Sequence, residues 1–390
     1  MSFENRTATR LRPFMTTIFA EMSALAVEHG GDQSGAGLPP RHRRPGVDAR
    51  SRPTRHHRRP QPVPARHRGF RSCGMRWRAT SASTTNSTTT PDREVLITVG
   101  ATEAIAGAVV GLIEPGDEVI MIEPYYDAYA ATVAMASGVR RVVPLVEDGD
   151  GFRLERERLA NAFGPKSAVF IVNTPHNPTG TVLSDDDLAE IARLCIEFDV
   201  IAVCDEVYEH LLFDGRTHTP LATLPGMRER TLRISSAAKT FNCTGWKVGW
   251  ISGPPELIAA TKTAKQYMSY VGSGPFQPAV AQALDNEMGW VRASAAALQD
   301  KRDMITAALL DVGFDVHRSE ATYFVCADPR PLGFDDGIEF CRSLPERIGV
   351  AAVPVSVFAD DREPWHHLVR FAFAKRDDVI AEAADRLRKL

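Results

Sequence analysis

No run of apolar residues in this sequence is long enough to cross a bilayer, and no charged leader with a short apolar stretch opens it. Cysteine is scarce: six residues, at 73, 195, 204, 243, 326 and 341, with no C-x-x-C pair and no scaffold-like spacing. They read as reduced, mostly buried thiols, so the cytoplasm is the expected compartment. Excess charge is also missing. A net charge of −3 over 390 residues gives the whole molecule no general attraction for nucleic acid or membrane surfaces. What is present is 44% hydrophobic and 24% charged residues, enough for a large core and a smaller second domain.

Lysine is absent from 31–92, where thirteen arginines crowd between 41 and 78 among Pro, His, Ser and Thr, with no hydrophobic period. A basic linker and an arginine-rich nucleic-acid arm are the ordinary readings. A third is out-of-frame translation. Back-translating 31–39 and dropping one nucleotide yields a peptide ending Gly-Gln-Gly-Phe-Pro. The same shift across 55–64 yields Asn-Gln-Tyr-Pro, and 84–91 in the third frame runs into the in-frame D-R-E-V-L. The stretch is therefore expected to pack poorly while 95–390 folds normally.

Elsewhere the pattern is α/β. Residues 11–29 suggest an extended entry and a short amphipathic helix. Apolar, β-branched runs at 95–99, 119–122, 168–172, 200–204, 231–234 and 248–251 read as buried strands. Helical stretches such as 102–113 and 185–198 lie between them, the second opened by a Ser184–Asp187 capping box. From about 290 a long helix, strands near 323–327, 350–355 and 367–373 and a C-terminal helix read as a smaller α+β domain. The expected division is 1–30 with the small domain, 31–92 aberrant, 93–288 large and 289–390 small.

Lys239 ends the strand T-L-R-I-S-S among small and hydroxyl residues. A lysine after a strand is ordinarily a solvated surface residue, but a partly desolvated amine here is a Schiff-base candidate. Ser236 and Lys247 could hold a phosphate beside it, helped by the Gly100-Ala101-Thr102 turn that opens a helix directly after strand 95–99. An aldehyde joined to a phosphate is the shape of pyridoxal phosphate. Asp205, ending V-I-A-V-C, points a carboxylate into the crevice at the end of a buried strand, where it could keep a pyridine nitrogen protonated. Tyr208 and Asn177 could contact the ring oxygen, and Tyr126 could stack on the ring. Arg370 presents a planar fork suited to a substrate α-carboxylate. Each has a plainer alternative: a helix cap at Asp205, a turn in N-P-T-G, core packing for Tyr126, an edge-strand arginine for Arg370.

Taken together, N-T-P-H-N-P-T-G (173–180), D-E-V-Y (205–208) and S-S-A-A-K-T-F with G-W-K-V-G-W (235–250) resemble the class I aminotransferases among fold-type-I pyridoxal-phosphate enzymes. The resemblance covers about 11–30 and 95–390. It implies a mostly parallel seven-stranded sheet between helices, a small α+β domain and a homodimer. It also implies that Lys239 is the Schiff-base lysine and proton shuttle, that Asp205 pairs with the pyridine nitrogen, and that Tyr208 and Asn177 meet the ring oxygen. Ser236, Lys247 and Gly100–Thr102 would hold the phosphate, Tyr126 would stack on the ring, and Asn177 and Arg370 would bind the substrate carboxylate. Lys247 replaces the family's phosphate-side arginine, as in its kynurenine, glutamine and methionine subgroup. The whole run of motifs most resembles the actinobacterial N-succinyldiaminopimelate aminotransferases. The family's G-Q-G-F-P and N-Q-Y-P segments occur here only in the shifted frames.

The implied reaction is ping-pong transamination between an amino acid and 2-oxoglutarate, with the succinylated diamine of lysine biosynthesis as the expected donor. Kynurenine, glutamine or methionine as donor, β-elimination of cysteine conjugates, and an inactive product of a frameshifted gene are the alternatives.

Overall fold

The computed structural model describes residues 7–14, 21–22, 24–25, 28 and 91–390. The expectations for the arginine-rich stretch, apart from its last two residues, lie outside the described residues. Ahead of it, Thr9–Phe14 form a 3-10 helix rather than the extended entry expected. Leu11 N–H donates to Ala8 O at 2.8 Å, and Pro13, with φ fixed near helical values, fits such a turn.

Eight strands form the main sheet, one more than expected: β1 (Val95–Thr98), β2 (Glu118–Glu123), β3 (Val139–Asp148), β4 (Gly151–Leu154), β5 (Ser167–Asn173), β6 (Ile201–Asp205), β7 (Thr231–Ser236) and β8 (Gly249–Ser252). Their order is β1-β8-β7-β6-β5-β2-β3-β4. β7, β6, β5, β2 and β3 are parallel neighbours, while β8 and β4 run against theirs. The hairpin of β3 and β4 was not legible as strand. β3 lies near the sheet's edge, is half exposed along much of its length and contains Pro144, so it lacks the continuous apolar run of a central parallel strand. By contrast β5 and β6 are apolar almost throughout and buried.

Helices cover the sheet: α1 (Gly100–Leu112), α2 (Asp127–Met135), α3 (Arg156–Ala162), α4 (Asp185–Glu197), α5 (Ala237–Thr240), α6 (Pro255–Lys265) and α7 (Gln277–Asn286). The expected capping box opens α4: Ser184 Oγ accepts from Asp187 N–H at 3.1 Å, and Asp187 Oδ2 accepts from Ser184 N–H at 3.2 Å. Cores lie on both faces of the sheet, one around Ile105, Val133, Val169 and Ile234, the other around Phe170, Leu188, Ile191 and Val200.

The long α8 (Met288–Val312) ends at Gly313, whose φ of 104° supplies the left-handed turn that stops it. Beyond it β9 (Asp315–Val316), β10 (Phe324–Asp328), β11 (Val353–Pro354) and β12 (Val369–Ala372) form a wholly antiparallel sheet, order β11-β12-β10-β9. α9 (Gly337–Ile348) and α10 (Asp377–Leu387) complete this part. The strand expected at 350–355 shrinks to the two residues of β11, because Val355–Phe358 turn into a 3-10 helix. Among the described residues no helix is long and apolar enough to cross a membrane.

Candidate active site

Parallel strands deliver their last residues to one edge of a sheet. Here that edge carries Asn173 from β5, Asp205 from β6 and Ser236 from β7, with Lys239 one helical turn beyond in α5.

Lys239 is half-buried, and its Nζ lies 2.6 Å from the hydroxyl of Tyr323 and 5.5 Å from the centre of the Tyr208 ring. Asp205 is buried. Its Oδ2 accepts from the Tyr129 hydroxyl at 2.6 Å and its Oδ1 from Val207 N–H at 3.3 Å. Burial raises its pKa above the ordinary carboxylate range, while these two bonds and the nearby charge of Lys239 pull the other way. A carboxylate in that balance suits a cationic partner, whose charge would complete its compensation.

Asn173 ties the strand ends together. Its Nδ2 donates to Asp205 O at 2.9 Å, and its Oδ1 accepts from Asn177 N–H at 2.9 Å. Asn177 in turn accepts from Arg370 Nη1 at 2.9 Å. Arg370 comes from β12 and is 1% exposed, its guanidinium 3.9 Å from the Phe324 ring centre and 4.9 Å from that of Phe358. Burial lowers its pKa from the arginine value. Stacking and the Asn177 bond hold the fork in one plane, as bidentate recognition of a carboxylate requires.

Tyr126 stands edge-on to Tyr129, ring centres 5.7 Å apart, and is hydrogen-bonded to Thr102. Burial raises its phenol pKa. The phosphate-side candidates form a second group. Gly100 has φ +77° and begins α1, where Val99 makes no side-chain cap to the first amides. Gly249 pairs with Ser236 and with Thr98 across the sheet. A Cβ on Gly249 would fall 2.5 Å from the carbonyl carbon of Gly100, so only glycine lets this turn lie against β8. Lys247, exposed and left-handed at φ 52°, precedes Gly249 by two residues. A backbone turn at a helix start, a buried serine and a nearby lysine could hold a phosphate, and Asp205 with Tyr126 could hold the aromatic ring attached to it. Among the described residues no cluster suited to a metal ion occurs.

Contacts therefore bring Lys239, Asp205, Tyr208, Tyr126, Asn177 and Arg370 together, with Gly100, Ala101 and Ser236 against Gly249 and Lys247 exposed two residues before it. Sequence reasoning missed Tyr129, Asn173 and Tyr323. Tyr129 lay one helical turn from Tyr126 on the same helix face, a spacing that could have found it. Asn173 was within a quoted motif. Tyr323 resembled any aromatic residue entering a buried strand.

A mostly parallel sheet presenting a lysine and an acid at one edge, faced by an arginine from an antiparallel sheet, is the architecture of aminotransferases. The chain belongs to the aminotransferase class I and II family, whose sequence model matches residues 63–387. In particular, it is 51% identical to the probable N-succinyldiaminopimelate aminotransferase DapC of Mycobacterium tuberculosis, over 98% of each chain. It is 36% identical to the methionine aminotransferase of Escherichia coli, over 77% of each. The solved structure of N-succinyldiaminopimelate aminotransferase from M. tuberculosis superimposes with a TM-score of 0.90 at 50% identity, covering 98% of this chain and 99% of that one. The E. coli methionine aminotransferase YbdL gives 0.86 at 32% identity, covering 98% and 99%.

Proposed function

We propose that this aminotransferase binds pyridoxal phosphate at Lys239 and transfers the amino group of N-succinyl-LL-2,6-diaminopimelate to 2-oxoglutarate, by a ping-pong course within lysine biosynthesis. One observation carries the reading: Lys239 Nζ lies 5.5 Å from the Tyr208 ring and near enough to the buried Asp205 for its charge to lower that carboxylate's pKa, while Arg370 is held by Asn177. The preference for the succinylated diamine rests on the 51% identity to the mycobacterial enzyme, against 36% for the methionine aminotransferase.

When bound, the cofactor supplies an electron sink for charge developing at the substrate α-carbon. The chain supplies the rest. Asp205 would oppose the ring nitrogen, its buried carboxylate favouring a proton there. Tyr208 and Asn177 would meet the ring oxygen, and Tyr126 would pack on the ring. The Gly100–Thr102 amides, Ser236 and Lys247 would hold the phosphate. Arg370 and Asn177 grip the α-carboxylate, which fixes the α-carbon relative to Lys239. Lys239 Nζ takes the α-proton and returns it on the other side of the exchange, as general base and then general acid.

We divide the chain as the sequence suggested, with 93–288 a cofactor-binding domain and 289–390 a small domain. A homodimer is part of the reading. Tyr267, Tyr270 and Val271, 85%, 59% and 57% exposed, and their neighbours Met268 and Phe276 are an apolar group that a second copy would cover. A cytoplasmic setting agrees with the five free cysteines among the described residues.

The test has two parts. Borohydride treatment of the loaded protein, followed by peptide mass spectrometry, should leave the pyridoxyl mass on Lys239. Comparing kcat/KM for succinyl-diaminopimelate, kynurenine, methionine and glutamine should then favour the first. A pyridoxyl group elsewhere, or a higher kcat/KM for kynurenine or methionine, would overturn the corresponding part.

A further inference from the structure

The amine of Lys239 has a specific partner in the other sheet. Tyr323 immediately precedes β10 and reaches Lys239 across 84 residues of chain to place its hydroxyl 2.6 Å from Nζ. Tyr208 is hydrogen-bonded to the same phenol, so one oxygen joins two residues of the site. Burial alone would raise the Tyr323 phenol, but the charge and hydrogen bond of Lys239 and the bond from Tyr208 bring it below the ordinary tyrosine value.

The ring is fixed. It is 6% exposed, edge-on to Tyr208 at 5.5 Å and 4.5 Å from Phe324 between ring centres. The backbone before it is strained: Thr322, β-branched and fully buried, has φ +75°. That conformation is a genuine outlier for such a residue and persists only where surrounding contacts enforce it. Those contacts are present. Thr322 N–H donates to Leu211 O at 2.8 Å, and its Oγ1 accepts from Phe324 N–H at 3.1 Å. Leu212 and Ala321 form an isolated bridge alongside. The segment following Asp205 and Tyr208 is thus stitched to the turn that aims Tyr323.

We propose that Tyr323 is a positioning residue for Lys239, its hydroxyl fixing the ε-amine whenever that amine is released from the cofactor. A lysine that gives up its bond in each half of the reaction must return the same nitrogen to the same place. Its flexible four-carbon stem does not ensure this, and a fixed acceptor does. Because Tyr323 leads directly into β10 of the sheet that carries Arg370, the part that grips the substrate also aims the base. This inference rests on the role given to Lys239 above.

Tyr323→Phe keeps the ring and removes the oxygen. In cofactor-free protein, limiting acylation read by peptide mass spectrometry compares Lys239 with Lys262, which is exposed on α6. Loss of a charge-assisted hydrogen bond should raise the Lys239:Lys262 labelling ratio about tenfold. In the loaded enzyme kcat should fall roughly 10- to 100-fold, with KM for the amino donor little changed. An unchanged labelling ratio with unchanged kcat would overturn the proposal. So would a rise in KM at constant kcat, which would make the phenol a substrate contact. Tyr323→Gln and Tyr323→Met, alike in shape but not in acceptor, carry the test if the Phe variant does not fold. Gln should hold the labelling ratio nearer the native value, and equal ratios would refute the idea. If borohydride fixes no cofactor on native Lys239, the cofactor reading fails by itself, since the cofactor-free labelling measures the hydrogen bond separately.

Discussion

Gly249→Ala places one methyl group where β8 meets the turn that opens α1. The new Cβ would lie 2.5 Å from Gly100 C, 2.8 Å from Gly100 Cα and 2.8 Å from Ala101 N. All three are backbone atoms, so no side chain can swing aside. Ordinary contact begins near 3.4 Å, so the turn must retreat by about 1 Å. Overpacking of this kind costs about 1–3 kcal/mol. For a protein of this size each kcal/mol corresponds to roughly 2–4 °C in Tm or somewhat less, so a fall of several degrees is expected. The effect on cofactor affinity should be larger than on stability. Amide bonds to a charged phosphate contribute about 1.5–3 kcal/mol each, so displacing one or two should weaken pyridoxal phosphate binding by at least about tenfold. Fluorescence titration of the cofactor gives Kd, and a thermal melt of the cofactor-free protein isolates the packing cost. Gly245→Ala, whose Cβ would meet nothing within 4 Å, is the control and should bind the cofactor like the native protein. If Gly249→Ala binds with native Kd and melts within a degree of native, the turn does not cradle the phosphate and the reasoning is refuted.

Three other outcomes are expected. Tyr129→Phe removes a bond that lowers the Asp205 pKa, so kcat/KM should drop about tenfold at neutral pH and its acidic limb should move to higher pH; a superimposable pH profile would contradict this. Arg370→Lys loses the fork and the stack on Phe324, so KM for the amino acid should rise by at least about 30-fold in steady-state kinetics. Glu206→Gln breaks a buried pair with Arg233, whose Nε and Nη2 lie 2.8 and 2.6 Å from Glu206 Oε2, and should lower the urea-derived stability by about 3–5 kcal/mol. Burial pushes Glu206 up, but Arg233 and His218 outweigh it and hold its pKa at about 2 against an ordinary 4.5. Its contribution is therefore present above pH 4.5 and lost as pH falls toward 2, so the native and Glu206→Gln stabilities should converge in acid.

The central strands and most of the candidate site were legible because one physical cause makes both. A strand buried on two faces must be apolar almost throughout, so the polar residue that ends it stands out: Asp205 after I-A-V-C and Ser236 after L-R-I-S, although Asn173, in the same position after V-F-I-V, was passed over. The hairpin of β3 and β4 escaped because an edge needs no such run. The strand expected at 350–355 was overlong because the length of β11 is set by Arg370 and Val369 pairing across it, a tertiary event with no local pattern. Tyr323 escaped for the same reason, and Tyr129 was passed over although its spacing from Tyr126 marked it. Each is an aromatic residue with a core-like neighbourhood, and only the atom 2.6 Å from its hydroxyl distinguishes it from packing.

The bond between Asn177 and Arg370 spans 193 residues, and Arg370 follows every strand of the main sheet. During synthesis, then, all eight strands of the main sheet and Lys239 have been made while Arg370, the proposed carboxylate grip, is still untranslated. A nascent chain halted before β12 would hold a lysine and an acid in a folded sheet but have no means of choosing an amino acid. Premature termination after β8 but before β12 should therefore yield a protein that keeps the proposed cofactor residues without turning over substrate, an interfering form wherever it pairs with a full-length copy.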